Sequence, residues 1–370
     1  MSTIEVRGKF YHFFCGKVKL IKSNGIEKSS VMLKHISMEK EKIRHEIEIR
    51  AKELGFDLVG FSSAEPLTKN IAMYKKWLKK GMNAEMEYME KAAARKNIEE
   101  ILPGAKTIIS VAMNYYHAQP PLLKGEGRIA RYAFGRDYHK IIRKKLKELE
   151  NFIYSNERSL SARALPCASS KPCRARAYVD TGPILERAYA EKSGLGFIGK
   201  NSCLITKEFG SWVFLGEIVT DLALAHPKGH GYGGKPFSGC GVCTRCIDSC
   251  PTKAIIAPGV IDANKCISYL TIENKKSIPK SLATEIKKSR RLFGCDICQE
   301  VCPHNCRAKE TPHKEFAEPR LAGNALYLKN LLAIKSDEEF LRRFAGSPLM
   351  RAKRAGLIRI AKIIASKSQA

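Results

Sequence analysis

Residues 240–251 read CGVCTRCIDSCP and residues 295–303 read CDICQEVCP. Cys240, Cys243, Cys246 and Cys250, followed by Pro251, form the run C-x2-C-x2-C-x3-C-P. Cys295, Cys298 and Cys302, followed by Pro303, form C-x2-C-x3-C-P. Thiolates so spaced can converge on one iron–sulfur cube, while the proline ends the turn and the last cysteine points away. In bacterial two-cluster ferredoxins that last cysteine ligates the other cluster. Two cubes need eight thiolates. Cys266 is the one cysteine between the runs, and Cys306, four residues past the second, is its competitor. The crossing rule predicts Cys240, Cys243, Cys246 and Cys302 on cluster 1, and Cys250, Cys266, Cys295 and Cys298 on cluster 2, both 4Fe-4S. Zinc in four-cysteine sites is the rival, but two runs that both end in Cys-Pro favour iron–sulfur.

The module is a small part of a chain of 370 residues, long enough for one large domain or two ordinary ones. The chain has 13 cysteines, an odd number in so long a sequence, which argues against a disulfide scaffold. Cys15, Cys167, Cys173, Cys203 and Cys306 read as ordinary thiols. With 44% hydrophobic residues, 27 Gly and 16 Pro, disordered and collagen-like classes are excluded. Lys and Arg number 65 against 37 Asp and Glu, a net +28 that predicts attraction to polyanions such as nucleic acid. No run reaches the roughly 18 apolar residues of a membrane span, and no signal peptide is visible. The expectation is a cytoplasmic protein with reduced thiols.

Upstream of the module the pattern is mixed. Residues 1–37 carry seven basic and two acidic residues without a sustained period and read as a poorly specified basic leader. A helix is predicted from Glu39 to about Leu54, a short buried strand at DLVGFS (57–62) and a second helix over 71–80. TIISVAM (107–113) reads as a central strand, 135–153 as a basic amphipathic helix, RARAYVD (174–180) as a strand, 184–194 as a helix and SWVFLGEIVT (211–220) as a strand. The fold class is therefore α+β (α/β-like) over residues 38–230, fused to a two-cluster ferredoxin domain over 231–310. HPKGHGYGGKP (226–236) connects the two, and 311–370 reads as a basic helical C-terminal region. Electrons from two clusters in series would be used in the larger domain.

GLGFIGKN (194–201) nearly spells a P-loop, but Asn201 stands where Ser or Thr should bind magnesium, and the run follows a helix. It stays open as a glycine-rich loop that a large ligand can approach. Asp180 closes a predicted strand in YVDTGPILER (178–187), where partial burial would raise its pKa as suits a proton donor. A helix cap is the equal alternative. RYAFGRDYH (131–139) sets Arg131, Asp137, Tyr138 and His139 round a glycine turn, either as a polar helix start or as a ligand-facing corner. Arg143, Lys144, Lys145 and Lys147 beyond it offer a phosphate track or a solvated face.

These residues carry a resemblance. LPGAKTIISVAMNYY (102–116), RYAFGRDYH, YVDTGPILERAYAEKSGLGFIGKNSCLI (178–205), GSWVFLGEI (210–218) and the eight cysteines resemble the epoxyqueuosine reductase family, over about residues 38–325. The resemblance implies base-off cobalamin bound between the larger domain and the clusters, with Asp180 as general acid. It also implies a cobalamin or substrate pocket drawing on Arg131, Asp137, Tyr138, His139, Gly196, Lys200, Asn201 and Ser202. The implied reaction reduces epoxyqueuosine to queuosine at the wobble position of tRNAs with GUN-type anticodons, those for Tyr, His, Asn and Asp. An unidentified electron donor feeds a monomer. Departures are the segment LPCASSKPCRAR (165–176), the leader, and Ile360 in RAGLIRIAKI (354–363) where the family commonly has Asn. Two other readings remain at this stage: a reductive dehalogenase-like cobalamin and iron–sulfur oxidoreductase acting on a small molecule, and an electron-transfer ferredoxin fusion without corrinoid.

Overall fold

A computed structural model of the chain describes residues 2–5, 10–14, 17–20, 27–91, 98–155, 174–224, 239–317 and 322–366. The connector 226–236 and residues 165–173 of the LPCASSKPCRAR segment lie outside them. The first strands, β1 (Ser2–Glu5), β2 (Phe10–Phe14) and β3 (Lys17–Leu20), make an antiparallel meander, and the helix Glu27–Glu53 begins well before Glu39. The leader read as patternless because strands of four or five residues are too short to display a period, although aromatic FYHFF has the composition strands favour.

The main sheet contains β4 (Leu58–Ser63) and β5 (Thr107–Asn114). Further on come β6 (Glu126–Ile129), β7 (Ala175–Tyr178), β8 (Phe197–Ile198), β9 (Leu204–Ile205) and β10 (Val213–Thr220). Its order is β4-β5-β10-β7 and every pairing is antiparallel. β5 is buried along its whole length, as its unbroken apolar run predicts.

Alternation along β10 separates two faces. Phe214 and Ile218 face a core with Ile142, Leu146 and Leu149 of the helix Tyr138–Ser155 and Ile43 and Ile47 of the helix Glu27–Glu53. A Cβ at Gly216, on this same face, would stand 2.9 Å from Leu146 Cδ1, so the glycine lets the helix lie directly on the strand. Val213 and Leu215 face the other way, toward Ala190 and Leu195 at the helix Glu186–Lys192, and Val219 packs with Ile108 and Tyr189. Glu217 shares this second, otherwise apolar row.

Beyond the connector, β11 (Ile255–Ala257) and β12 (Val260–Ile261) form a hairpin beside the first cysteine run. β13 (Arg291–Phe293) then pairs in parallel with β6, whose other edge takes β14 (Ala325–Tyr327). GNALYLKN was expected to be wholly helical; its ALY is strand and the helix starts at Leu328. Three residues carry no period, and their partner lies about two hundred residues upstream. A second core unites Ile129 and Ala133 with Leu292 and Phe293 and with Leu357, Ile360 and Ile364 of the C-terminal helix Lys353–Ala365. Ile360 is fully buried, which gives its departure from Asn a packing reason.

Candidate active site

β7 ends at Tyr178, and Asp180 turns the chain with φ +53°, a left-handed conformation that Asp tolerates better than most residues. The turn aims its carboxylate across the mouth of β10 at the start of the helix Tyr138–Ser155. There Asp180 Oδ2 lies 2.9 Å from His139 Nε2 and accepts the Tyr138 hydroxyl at 3.1 Å. His139 Nδ1 stands 2.7 Å from Asp137 Oδ1, which also accepts the His139 backbone N–H at 3.0 Å. Tyr138 is stacked on Phe214 with ring centroids 4.2 Å apart and planes at 7°. The histidine is thus clamped between two carboxylates, and the tyrosine is clamped by the core.

Electrostatics place the proton. Burial would lower His139, but the two carboxylates outweigh it and raise its pKa to about 9. Burial would raise Asp180, yet the His139 hydrogen bond and charge and the Tyr138 hydroxyl hold it below the usual range. The expectation of a raised Asp180 is corrected here: its side chain is 56% exposed and has a cation beside it. At neutral pH the proton of the pair sits on His139.

Two carboxyls that sequence reasoning passed over lie behind this pair. Glu186 Oε1 accepts the Asp180 backbone N–H at 2.5 Å, and Glu217, fully buried on β10, faces Glu186. The signal was present in VFLGEIVT, where one charge interrupts an apolar strand.

The other candidates serve the cysteine module. Arg131 donates its backbone N–H to Asp296 Oδ2 at 2.8 Å and its guanidinium to Glu300 at 2.9 Å, and stacks 4.8 Å over Trp212. Asp296, between Cys295 and Cys298, is 2% exposed, so this is a buried ionic tie between domain and module. A side chain at Gly196 would strike the Ile205 carbonyl, so the close approach this glycine allows is to its own hairpin, β8–β9. Lys200 gives its backbone N–H to Cys240 Sγ at 3.4 Å and its ammonium to Gly241 O at 2.8 Å. Asn201 reaches Cys298 O at 3.4 Å, and Ser202, left-handed at φ +62°, donates to Gly259 O at 2.7 Å. Of the basic track, Lys145 is bonded to Leu54 O and Lys147 to Glu150, while Arg143, Lys144 and Lys147 are exposed.

The cysteines fall into two neighbourhoods. Cys240, Cys243, Cys246 and Cys302 line one pocket, with Cys302 facing Cys240 and Cys243 across it. Cys298 faces Cys203, Cys295 and Cys266, and Cys266 faces Cys250, so Cys203, read as an ordinary thiol, stands beside this set. Cys306 is exposed. Among the described residues no three His, Cys, Asp or Glu side chains meet as a single metal ion would require.

The profile described as epoxyqueuosine reductase QueG, DUF1730 matches residues 95–181, and that of a 4Fe-4S double cluster binding domain matches residues 239–305. The epoxyqueuosine reductase of Gloeobacter violaceus is 44% identical over 86% of this chain and 94% of its own. The chain belongs to the epoxyqueuosine reductase family. It is therefore an oxidoreductase, with a domain for two clusters. The Pseudomonas aeruginosa epoxyqueuosine reductase is 40% identical over 81% of this chain and 79% of its own. An epoxyqueuosine reductase solved with an epoxyqueuosine-modified tRNA-Tyr stem loop has TM-score 0.74 and 31% identity, covering 88% of this chain and 81% of that one. The Bacillus subtilis enzyme, solved with its catalytic aspartate loop swung out of the active site, has TM-score 0.74, 30% identity and the same coverage. In this chain the epoxyqueuosine reductase match takes in Arg131, Asp137, Tyr138, His139 and Asp180, and the double-cluster match takes in all eight cysteines. Glu186 and Glu217 fall between them. No described helix is long and apolar enough to cross a membrane.

Proposed function

We propose that the chain reduces epoxyqueuosine to queuosine at the wobble position of GUN-type tRNAs, those for Tyr, His, Asn and Asp, as a cytoplasmic monomer served by a low-potential one-electron donor. The observation that carries the reading is the Asp180–His139 pair: an imidazole whose Nε2 lies 2.9 Å from an open-faced carboxylate, in one body with the two thiol neighbourhoods. The reaction takes up two electrons and two protons, breaks both C–O bonds of the epoxide, forms a C=C bond and releases the oxygen as water.

The thiol donor sets fit two 4Fe-4S clusters with the crossed ligation above, and such clusters supply electrons one at a time. Arg131, Lys200, Asn201 and Ser202 then act as positioning residues: they hold the cysteine loops against the larger domain. Base-off cobalamin is what the family resemblance implies, but these four residues and Gly196 do not fit as its contacts, because their polar atoms or close approaches are taken. Tyr138, His139 and Asp180 keep an open face. Asp180 is the group that hands the proton to the opening oxygen, His139 is its source, and Asp137 orients the imidazole. The exposed Arg143 and Lys144, with the net charge of +28, suit a phosphate backbone.

The test is mass spectrometry of nucleosides from epoxyqueuosine-bearing tRNA, after anaerobic incubation with reconstituted protein, cobalamin and a low-potential reductant. Queuosine should form with the wild type and not with Asp180→Ala. A fully loaded protein that leaves the nucleoside untouched refutes the tRNA reading, and an active Asp180→Ala protein refutes the assigned acid.

A further inference from the structure

The row of β10 that faces the helix Glu186–Lys192 runs Val213, Leu215, Glu217, Val219, with apolar neighbours on both sides of the glutamate. Glu217 is 0% exposed, and no hydrogen bond of ordinary geometry reaches either of its carboxyl oxygens. Its strand neighbours are Ser110 on β5 and Tyr178 on β7. Facing it is the carboxyl of Glu186, the first residue of its helix, whose Oε1 accepts the Asp180 backbone N–H at 2.5 Å.

No cation pairs with either glutamate among the described residues. Arg187 is a positive charge acting on Glu186, and its guanidinium is bonded to the Ser202 carbonyl. Lys192 is bonded to Ser63 O, Arg176 on β7 to Ile101 O, and the Glu191 carboxylate accepts from the Ile198 backbone N–H. The remaining charge felt by both is Asp180. Two carboxyls facing each other in a dry place cannot both ionise at neutral pH. Burial first, then Asp180, push Glu186 up to about 7, and burial and Glu186 push Glu217 well above the usual carboxyl range. The pair therefore holds at least one proton where an ordinary carboxylate would hold none.

The reaction proposed above consumes two protons, and the His139–Asp180 pair carries one. We propose that Glu186 and Glu217 are the store of the second proton, passed through Asp180. The inference rests on that functional reading. In the first transfer the proton of His139 goes by way of Asp180 to the epoxide oxygen as one C–O bond opens, leaving neutral His139 and ionised Asp180. Glu186 then gives its proton to the Asp180 carboxylate, which passes it to the hydroxyl leaving as water, while the second C–O bond breaks and the C=C bond forms. The two electrons come from the low-potential one-electron donor by way of the clusters. The glutamate pair and His139 are refilled from solvent. Glu186 and Glu217 act through Asp180, so they are positioning and supplying groups and do not themselves touch substrate.

The variant Glu186→Gln keeps size, polarity and the acceptor for the Asp180 backbone N–H but carries no acidic proton, whereas in Glu217→Gln burial and Asp180 would still hold Glu186 up. At pH 7.5 about one quarter of wild-type Glu186 is protonated, and the variant has no such proton to give. Single-turnover conversion of epoxyqueuosine tRNA by the holoenzyme should fall at least about tenfold at that pH, allowing for supply from water. The KM for tRNA should be unchanged, and the wild-type decline in rate near pH 7 should vanish from the profile. A purely structural carboxyl would leave the shape of the profile intact, and a wild-type profile in Glu186→Gln overturns the proposal. Infrared pH-difference spectra give a readout free of turnover: a protonated-carboxyl band should titrate near pH 7 in the wild type and be missing in the variant. No such band in the wild type also overturns the proposal. If Glu186→Gln does not fold, the wild-type infrared titration decides alone: a carboxyl band titrating near pH 7 supports the store. If the band is present but no tRNA is converted by the wild type, it is the functional reading that fails, and the store loses the reaction it was assigned to.

Discussion

Replacing His139 by Gln tests where the catalytic proton resides. In the wild type His139 is raised to about 9 by Asp137 and Asp180, so at pH 7.5 the pair keeps its proton in about 97% of molecules. His139→Gln removes the cation that holds Asp180 down, while burial and the two glutamates still push that carboxyl upward. Asp180 then titrates without its cation, as a carboxyl that is ionised in nearly all molecules at pH 7.5. The rate of a step that needs this proton falls with the small share still protonated. The deficit should shrink about tenfold for each unit of falling pH while Asp180 stays mostly ionised and His139 of the wild type stays charged. The assay is single-turnover nucleoside analysis across pH, each variant rate taken as a ratio to wild type at the same pH, with cluster absorbance as loading control. The sign of the linkage agrees. His139 is raised in the fold, so its contribution to stability is whole below about 6.5 and is lost as pH rises through about 9. Asp180 is lowered, so its contribution is present above about 3.8 and is lost as pH falls through its folded value. Undiminished turnover of His139→Gln at pH 7.5, or a deficit constant across pH, would refute the argument.

Two further outcomes follow from the ties to the cysteine module. Arg131→Met leaves Asp296 buried with one fewer partner, at a cost of about 3 kcal/mol, the low end of the range for a broken buried pair because the Arg131 backbone N–H still reaches the carboxylate. Anaerobic denaturant unfolding measures it, and a shift under about 1 kcal/mol would mean Arg131 has its role elsewhere. Cys302→Ala should halve the iron per chain, and Cys240→Ala/Cys302→Ala should lose no more, whereas Cys298→Ala/Cys302→Ala should lose both clusters; iron analysis that reverses the two double variants would undo the crossed ligation.

What was legible follows the range of each interaction. The eight cysteines could be read because ligation is local chemistry at fixed spacing, and β5 and β10 could be read because they are eight-residue runs rich in apolar and β-branched residues. Sheet order could not, since β10 pairs with β5 and β7 across long stretches of intervening chain. β6, β13 and β14 escaped because three or four residues have no period. Asp180 was found from its place at a strand end, but its charge state was not, because it depends on His139, 41 residues upstream. Lys200, Asn201 and Ser202 were found as a special loop with the wrong neighbour in view: the glycines suggested a ligand, and what approaches is the cysteine module.

That loop explains why the stretch 178–205 was the most distinctive in the chain. A reductive site must bring protons and electrons to one place while keeping their carriers apart, since a reduced centre in direct contact with an acidic proton reduces the proton instead. Here a single segment spans both tasks. It starts at Asp180, passes Glu186 at the head of a helix that covers the sheet, turns at Gly194, and ends with Lys200 and Asn201 on the backbone and sulfur of both cysteine runs. Arg187 closes the segment on itself by bonding the Ser202 carbonyl, so the acid end and the cluster end are braced by one side chain. The two non-glycine left-handed residues of the segment, Asp180 and Ser202, stand at its two working ends, each in a conformation costing about 1 kcal/mol. Strain kept at both termini of one braced segment is what a fold needs when the spacing between proton source and electron source must not drift.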